Sequence, residues 1–199
     1  MEDNFPAPGL HPLLASRWSP TTFDTSHELA VAEVDLLLEA ARWAPSAGNS
    51  QPWAFIVGRR GDDPHRRLLS HLAGSAARWA GTASLLVANL SHRLVEDTDW
   101  DYSEFALYDL GQAVAHMTVQ ARALDLHVRQ FRAFDRDGIA TEFAVPGHWE
   151  VTTLSAVGRP ARADGVGGPP ATPLAQRERR ALDELLWPPR SGPPSRSAE

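Results

Sequence analysis

The stretch ARWAPSAGNSQPW, residues 41–53, decides how this chain is read. An apolar run ends on Arg42-Trp43, breaks at Pro45, passes through Ser46, Ala47, Gly48, Asn49, Ser50 and Gln51, and breaks again at Pro52-Trp53. A residue that precedes proline is pushed out of the helical region, so a helix must stop before Pro45. Upstream, Val31, Val34, Leu38 and Ala41 recur at helical spacing, and Thr25 with Glu28 has the capping-box form. Downstream, Phe55, Ile56 and Val57 form a short apolar run that reads as a buried strand. The segment is therefore a helix-to-strand junction whose loop is built from small and hydrogen-bonding residues.

Outward from the junction, helices and strands alternate. Asp63-Pro64 has the form of an N-cap with proline at the first helical position, predicting a helix over HRRLLSHLA. SLLVANL (84–90) reads as a strand. Leu107, Leu110, Val114, Met117, Ala121 and Leu124 then recur at three- and four-residue spacing, which predicts a long helix with an apolar stripe for a core or a dimer seam. HVRQFRAF is expected to be extended, DRDGIATEFAVP a short helix, and EVTTLSAVG a strand, with Thr and Val in alternation. From Arg159 the chain becomes a Gly- and Pro-rich arm, followed by a last basic helical turn, QRERRALDELLW. Residues 1–12 are expected to form an N-terminal arm, residues 13–187 one domain, and residues 188–199 a disordered tail. The class is α+β with a small sheet.

Composition excludes several chemistries. With no cysteine there is no disulfide, thiolate nucleophile or cysteine-based metal site, and the eight histidines show no ligand spacing, so no metal is expected. All 19 basic residues are arginine, so any anion must be held by guanidinium, backbone N–H or hydroxyl groups. The net charge of -6 argues against nucleic acid. No apolar run reaches the roughly 18 residues needed to cross a bilayer, and the N-terminus is acidic where a secretory signal would be basic, so a cytoplasmic protein is expected.

Three stretches in order resemble the nitroreductase family of flavin enzymes. RWSPTTFD (17–24) is similar to its opening Arg-x-Ser signature, residues 45–53 to its Pro-Ser-x-x-Asn-x-Gln-Pro-Trp loop, and YDLGQAVAHMTVQARALDLHV (108–128) to its central helix. VGRP (157–160) and the late RERRALDELLW extend the match from about Ser16 to Trp187. The resemblance implies a three-layer α+β fold with a small central mixed or antiparallel sheet flanked by helices, and a C-terminal arm reaching the partner subunit. It implies a homodimer with flavin mononucleotide (FMN) at the interface, reduced by NADH or NADPH.

The resemblance also assigns roles. Ser46 and Asn49 would bond the flavin ring or ribityl chain, with Gln51 contributing from the partner or the same edge and Pro45 fixing one end of the loop. Arg17 with Ser19, and Arg177 with Arg179, would hold the phosphate. Trp18, Thr21, Ala47, Gln130 and Phe131 would complete the cofactor lining. The residue types fit, because carboxamides offer donors and acceptors together and guanidinium groups bind phosphate bidentately.

Two stretches depart from the family pattern. Where members commonly carry a cation, two positions after the signature serine, this chain has Thr21; Arg42, Arg129 or Arg132 could take its place. Where members have glycine, it has Arg132 and Ala133, which makes Arg129 and Arg132 candidates for a narrower, more basic substrate face. The expected activity is electron transfer from NAD(P)H through flavin N5 to a small acceptor such as a nitroaromatic, quinone or activated alkene, with no catalytic side chain. A tailoring dehydrogenase or oxidase and a non-catalytic flavin-binding protein are the alternatives.

Overall fold

Four strands form one sheet in the computed structural model, which describes residues 8–161 and 179–187. They are β1 (Trp53–Arg59), β2 (Leu85–His92), β3 (His127–Phe131) and β4 (Trp149–Gly158), in the order β1-β2-β4-β3, with every neighbouring pair antiparallel. The helices are α1 (Pro12–Ala15), α2 (Val31–Arg42), α3 (Asp63–Ser70), α4 (Gly74–Ala80), α5 (Ala106–Ala123) and α6 (Arg136–Glu142).

β2 lies inside the sheet and is covered on both faces, which is why its sequence is a continuous apolar run rather than an alternation. Leu85 and Val87 face one layer, where Val34, Leu37 and Ala41 of α2 meet Ala113, Met117 and Ala121 of α5. Leu86, Ala88 and Leu90 face the other, with Leu68 of α3, Ala80 of α4 and Ile139 of α6. Each fully buried Leu, Val or Met side chain contributes about 1.5–3 kcal/mol. A bulge at Thr152 inserts one residue opposite the Asn89–Leu90 step. It keeps Val151 and Leu154 in the same core despite their odd spacing.

Several local expectations shift. The cap of α2 is not Thr25 with Glu28: the Ala30 amide donates to the Glu33 carboxylate at 2.8 Å, while Asp24 takes the Ser26 amide and hydroxyl. The buried stripe of α2 runs through Leu37, and Val31 is exposed. The α3 cap is Asp62, whose carboxylate accepts from the His65 amide at 2.8 Å. Leu107 is half exposed, outside the buried stripe of α5. α1 and α4 are additional short helices. Of QRERRALDELLW, residues 179–187 are described, and they contain one 3-10 turn at Asp183–Leu185. Residues 1–7, Arg177 and the expected tail lie outside the described residues.

Candidate active site

The loop after α2 is wound tightly on itself. Gly48, Asn49 and Gln51 have φ of 57°, 56° and 47°, so two side-chain-bearing residues occupy the sparsely populated left-handed region. Strain of this kind persists only where the surroundings hold it. The Ser46 hydroxyl accepts from the Gln51 amide at 3.0 Å, and Gln51 Nε2 donates to Asn49 Oδ1 at 3.2 Å. From outside, Asp109 Oδ2 accepts from the Ala47 amide at 3.0 Å, and the Tyr102 hydroxyl donates to the Ser50 carbonyl at 3.1 Å. The His92 amide donates to the Pro52 carbonyl at 3.0 Å, and the His92 ring is sandwiched between Tyr102 (3.7 Å) and Trp149 (4.6 Å). The exposed carboxamides of Asn49 and Gln51 are thus held in place before any ligand arrives.

A second cluster lies at the other end of α5. Arg122 Nε and Nη2 donate to the Ser16 hydroxyl, both at 3.4 Å, which seats the segment carrying Arg17, Trp18 and Ser19. Arg17 Nη1 donates to the Ser19 hydroxyl at 3.4 Å. Burial, and then the charge of Arg179, hold the Arg17 pKa below its ordinary value. The two guanidinium groups therefore share one neighbourhood, as two cations facing a common anion must. Trp18 stacks at 5.0 Å on His127, whose Nδ1 lies 3.2 Å from the Trp18 carbonyl oxygen. Burial first, and the Arg122 charge second, push the His127 pKa down to about 4, so the ring is neutral at pH 7.

Asp109 and Arg122 belong to opposite ends of α5, and at 1.5 Å per residue they stand about 20 Å apart along its axis. One chain therefore brings Arg17, Trp18, Ser19 and Arg179 together, and separately Pro45, Ser46, Ala47, Asn49 and Gln51. Thr21 is exposed beside the first group. Arg129 donates to the Pro20 carbonyl at 3.3 Å and lies over the Trp79 ring at 4.7 Å. Gln130 is exposed, and Phe131 packs edge-on to Trp79 at 4.9 Å. Arg132 donates to the Thr152 carbonyl and covers Phe134. Asp109, Tyr102, Arg122 and His127 escaped the sequence reading. Asp109 had a signal, a carboxylate one step from the apolar stripe of a long helix; Tyr102 and His127 had none.

The donor set fits an FMN-like ligand in kind: two guanidinium groups suit a phosphate, and a rigid carboxamide pair suits the imide edge of a flavin.

The family sequence profile described as Nitroreductase family matches residues 14–89. Nearly the whole chain superimposes on a solved structure described as the oxidoreductase containing FMN, with TM-score 0.78 and 25% identity, covering 94% of this chain and 95% of that one. A solved Clostridium acetobutylicum protein, provisionally titled an NADH oxidase, aligns with TM-score 0.60 and 25% identity over 74% of this chain and 87% of its own. A Streptomyces coelicolor relative, provisionally named NADH dehydrogenase/NAD(P)H nitroreductase, is 28% identical over 151 residues, 67% of this chain and 71% of the relative. The likeness to the Nitroreductase family profile is confined to residues 14–89, and the likeness in fold to the FMN-containing oxidoreductase runs nearly end to end.

Proposed function

We propose that the protein is a homodimeric FMN-dependent oxidoreductase, its domain spanning residues 13–187, that takes electrons from NADH or NADPH and passes them to a small organic acceptor. FMN supplies the chemistry when bound, accepting and releasing hydride at N5. The protein's residues hold and shield it. Arg17, Ser19 and Arg179 take the phosphate, with Arg177 as a further donor. Trp18, Thr21, Gln130 and Phe131 line the same end. Ser46, Asn49 and Gln51 meet the ring through groups whose positions are already fixed, so little entropy is lost on binding. Pro45 and Ala47 shape that loop.

The observation that carries this reading is the convergence of Arg17 and Arg179 at one end of α5, with the strained carboxamide loop at the other. A single cofactor in contact with both groups needs two copies, the loop of one facing the arginines of its partner. Exposed Trp43, Leu107 and Tyr108, at 73%, 50% and 69%, supply apolar surface for that pairing. No described helix is long and apolar enough to cross a membrane. A cytoplasmic location and a small-molecule substrate complete the reading.

Anaerobic addition of NADPH or NADH to the FMN-loaded protein tests it. Rapid bleaching of the yellow colour is expected. Colour that persists with both donors would favour a tailoring dehydrogenase or oxidase, or a non-catalytic flavin binder.

A further inference from the structure

Arg129 is a partly buried cation without a counter-charge among the described residues. It forms no ion pair with any described residue, in a chain that carries 25 carboxylates. Of its five donors, one meets an acceptor among the described residues, the Pro20 carbonyl. Its plane is nonetheless fixed, because the guanidinium lies 4.7 Å from the centre of the Trp79 ring, which Phe131 holds edge-on. An ordered, unspent guanidinium of this kind is complementary to negative charge that arrives with a ligand or develops on it.

We propose that Arg129 balances the negative charge that reduction places on the N1–C2=O edge of bound flavin. The inference rests on the FMN reading above and adds a residue that sets the redox potential. Its direction comes from how two segments run side by side. His127 meets Trp18, and Arg129, two residues further along β3, meets Pro20. Moving away from Arg17 along residues 17–20 therefore leads to Arg129. In FMN, moving from the phosphate along the ribityl chain leads to N10, and the adjoining ring edge is N1–C2=O. Hydride transfer from NAD(P)H brings two electrons and one proton to N5 and leaves oxidised NAD(P)+. Without a second proton the ring keeps one negative charge, shared between N1 and the C2 oxygen. A fixed guanidinium favours that form far more than the neutral oxidised ring.

The other two guanidinium groups are placed differently. Glu39 holds Arg42 bidentately at 2.7 and 2.6 Å, and Arg132, which like Arg129 has one carbonyl partner and one ring, is exposed and bonds Thr152 rather than the 17–20 segment.

The test compares FMN affinity and midpoint potential in wild type, Arg129→Gln and Arg129→Lys under anaerobic conditions. Arg129→Gln should weaken reduced relative to oxidised FMN by at least about tenfold, a fall of about 30 mV for a two-electron couple. Arg129→Lys, which keeps the charge, should change that ratio by less than about threefold. At pH 6 the wild-type potential should fall by about 30 mV per pH unit, one proton for two electrons, and the Gln variant should move toward about 59 mV. An unchanged ratio in Arg129→Gln, or a wild-type slope near 59 mV, would overturn the role of Arg129 and leave the FMN reading standing. A wild-type protein that takes up no FMN would overturn both. Should Arg129→Gln fail to fold, the wild-type slope decides alone.

Discussion

Arg17 and Arg179 lie in one neighbourhood although nearly the whole described chain separates them, and the Arg179 charge adds to burial in lowering the Arg17 pKa. Two guanidinium groups that repel each other in the free protein give up that repulsion when a dianion binds between them. Each charge-assisted bond is worth about 1.5–3 kcal/mol. Arg17→Ala should therefore weaken FMN binding about 10- to 100-fold, and more than Asn49→Ala does, as read by flavin fluorescence titration. Equal retention in both variants would remove Arg17 from the phosphate.

The carboxylate of Asp109 is 2% exposed, and its bond to the Ala47 amide is the inner anchor of a loop with three left-handed residues. Asp109→Ala leaves that amide without its partner and should cost about 1.5–3 kcal/mol in urea denaturation. Loop release should also raise the FMN Kd. A variant as stable as wild type would show that the anchor carries nothing.

Acid should destabilise the fold in a definite window. The folded His127 pKa, about 4, lies below the ordinary imidazole value of 6.5, so the unfolded chain binds more protons between those values. The stability that His127 contributes is full above pH 6.5 and is lost as pH falls toward 4, on the order of 2 kcal/mol. His27, His65 and His92 are lowered too, burial being the main cause in each, and act in the same direction. Denaturation midpoints at pH 7 and pH 4.5 should differ less in His127→Gln than in wild type.

Gly58 marks the closest approach of β1 to α3: a Cβ there would stand 2.5 Å from the His65 backbone nitrogen. Backbone cannot swing aside as a side-chain tip can. Gly58→Ala should cost about 1–3 kcal/mol, read as a lowered urea midpoint. Gly48→Ala meets no atom within 4 Å and should lose only the left-handed preference at φ 57°, about 1 kcal/mol.

Much of this architecture was legible in residue order. Pro45 and Pro52 bounded the loop because proline acts locally, and the α5 stripe at Leu110, Val114, Met117 and Ala121 was visible because burial on a helix is periodic. The α2 cap was misplaced because Thr25 and Asp24 compete for the same turn, and Asp24 closes it with Ser26. Long-range partners left no local trace. Tyr102 reaches the Ser50 carbonyl, and Arg122 reaches Ser16, through folding that no spacing rule encodes. The division of the proposed site between the two ends of α5 follows from the same long-range contacts.

That division gives the sharpest test: FMN content measured against oligomeric state, by analytical ultracentrifugation at flavin and protein wavelengths, with Tyr108→Glu placed on the exposed face of α5. The account predicts one FMN per chain, sedimenting with a dimer, and loss of FMN together with the dimer in Tyr108→Glu. A monomer that carries FMN at full occupancy, or a dimer that takes up none, would contradict it.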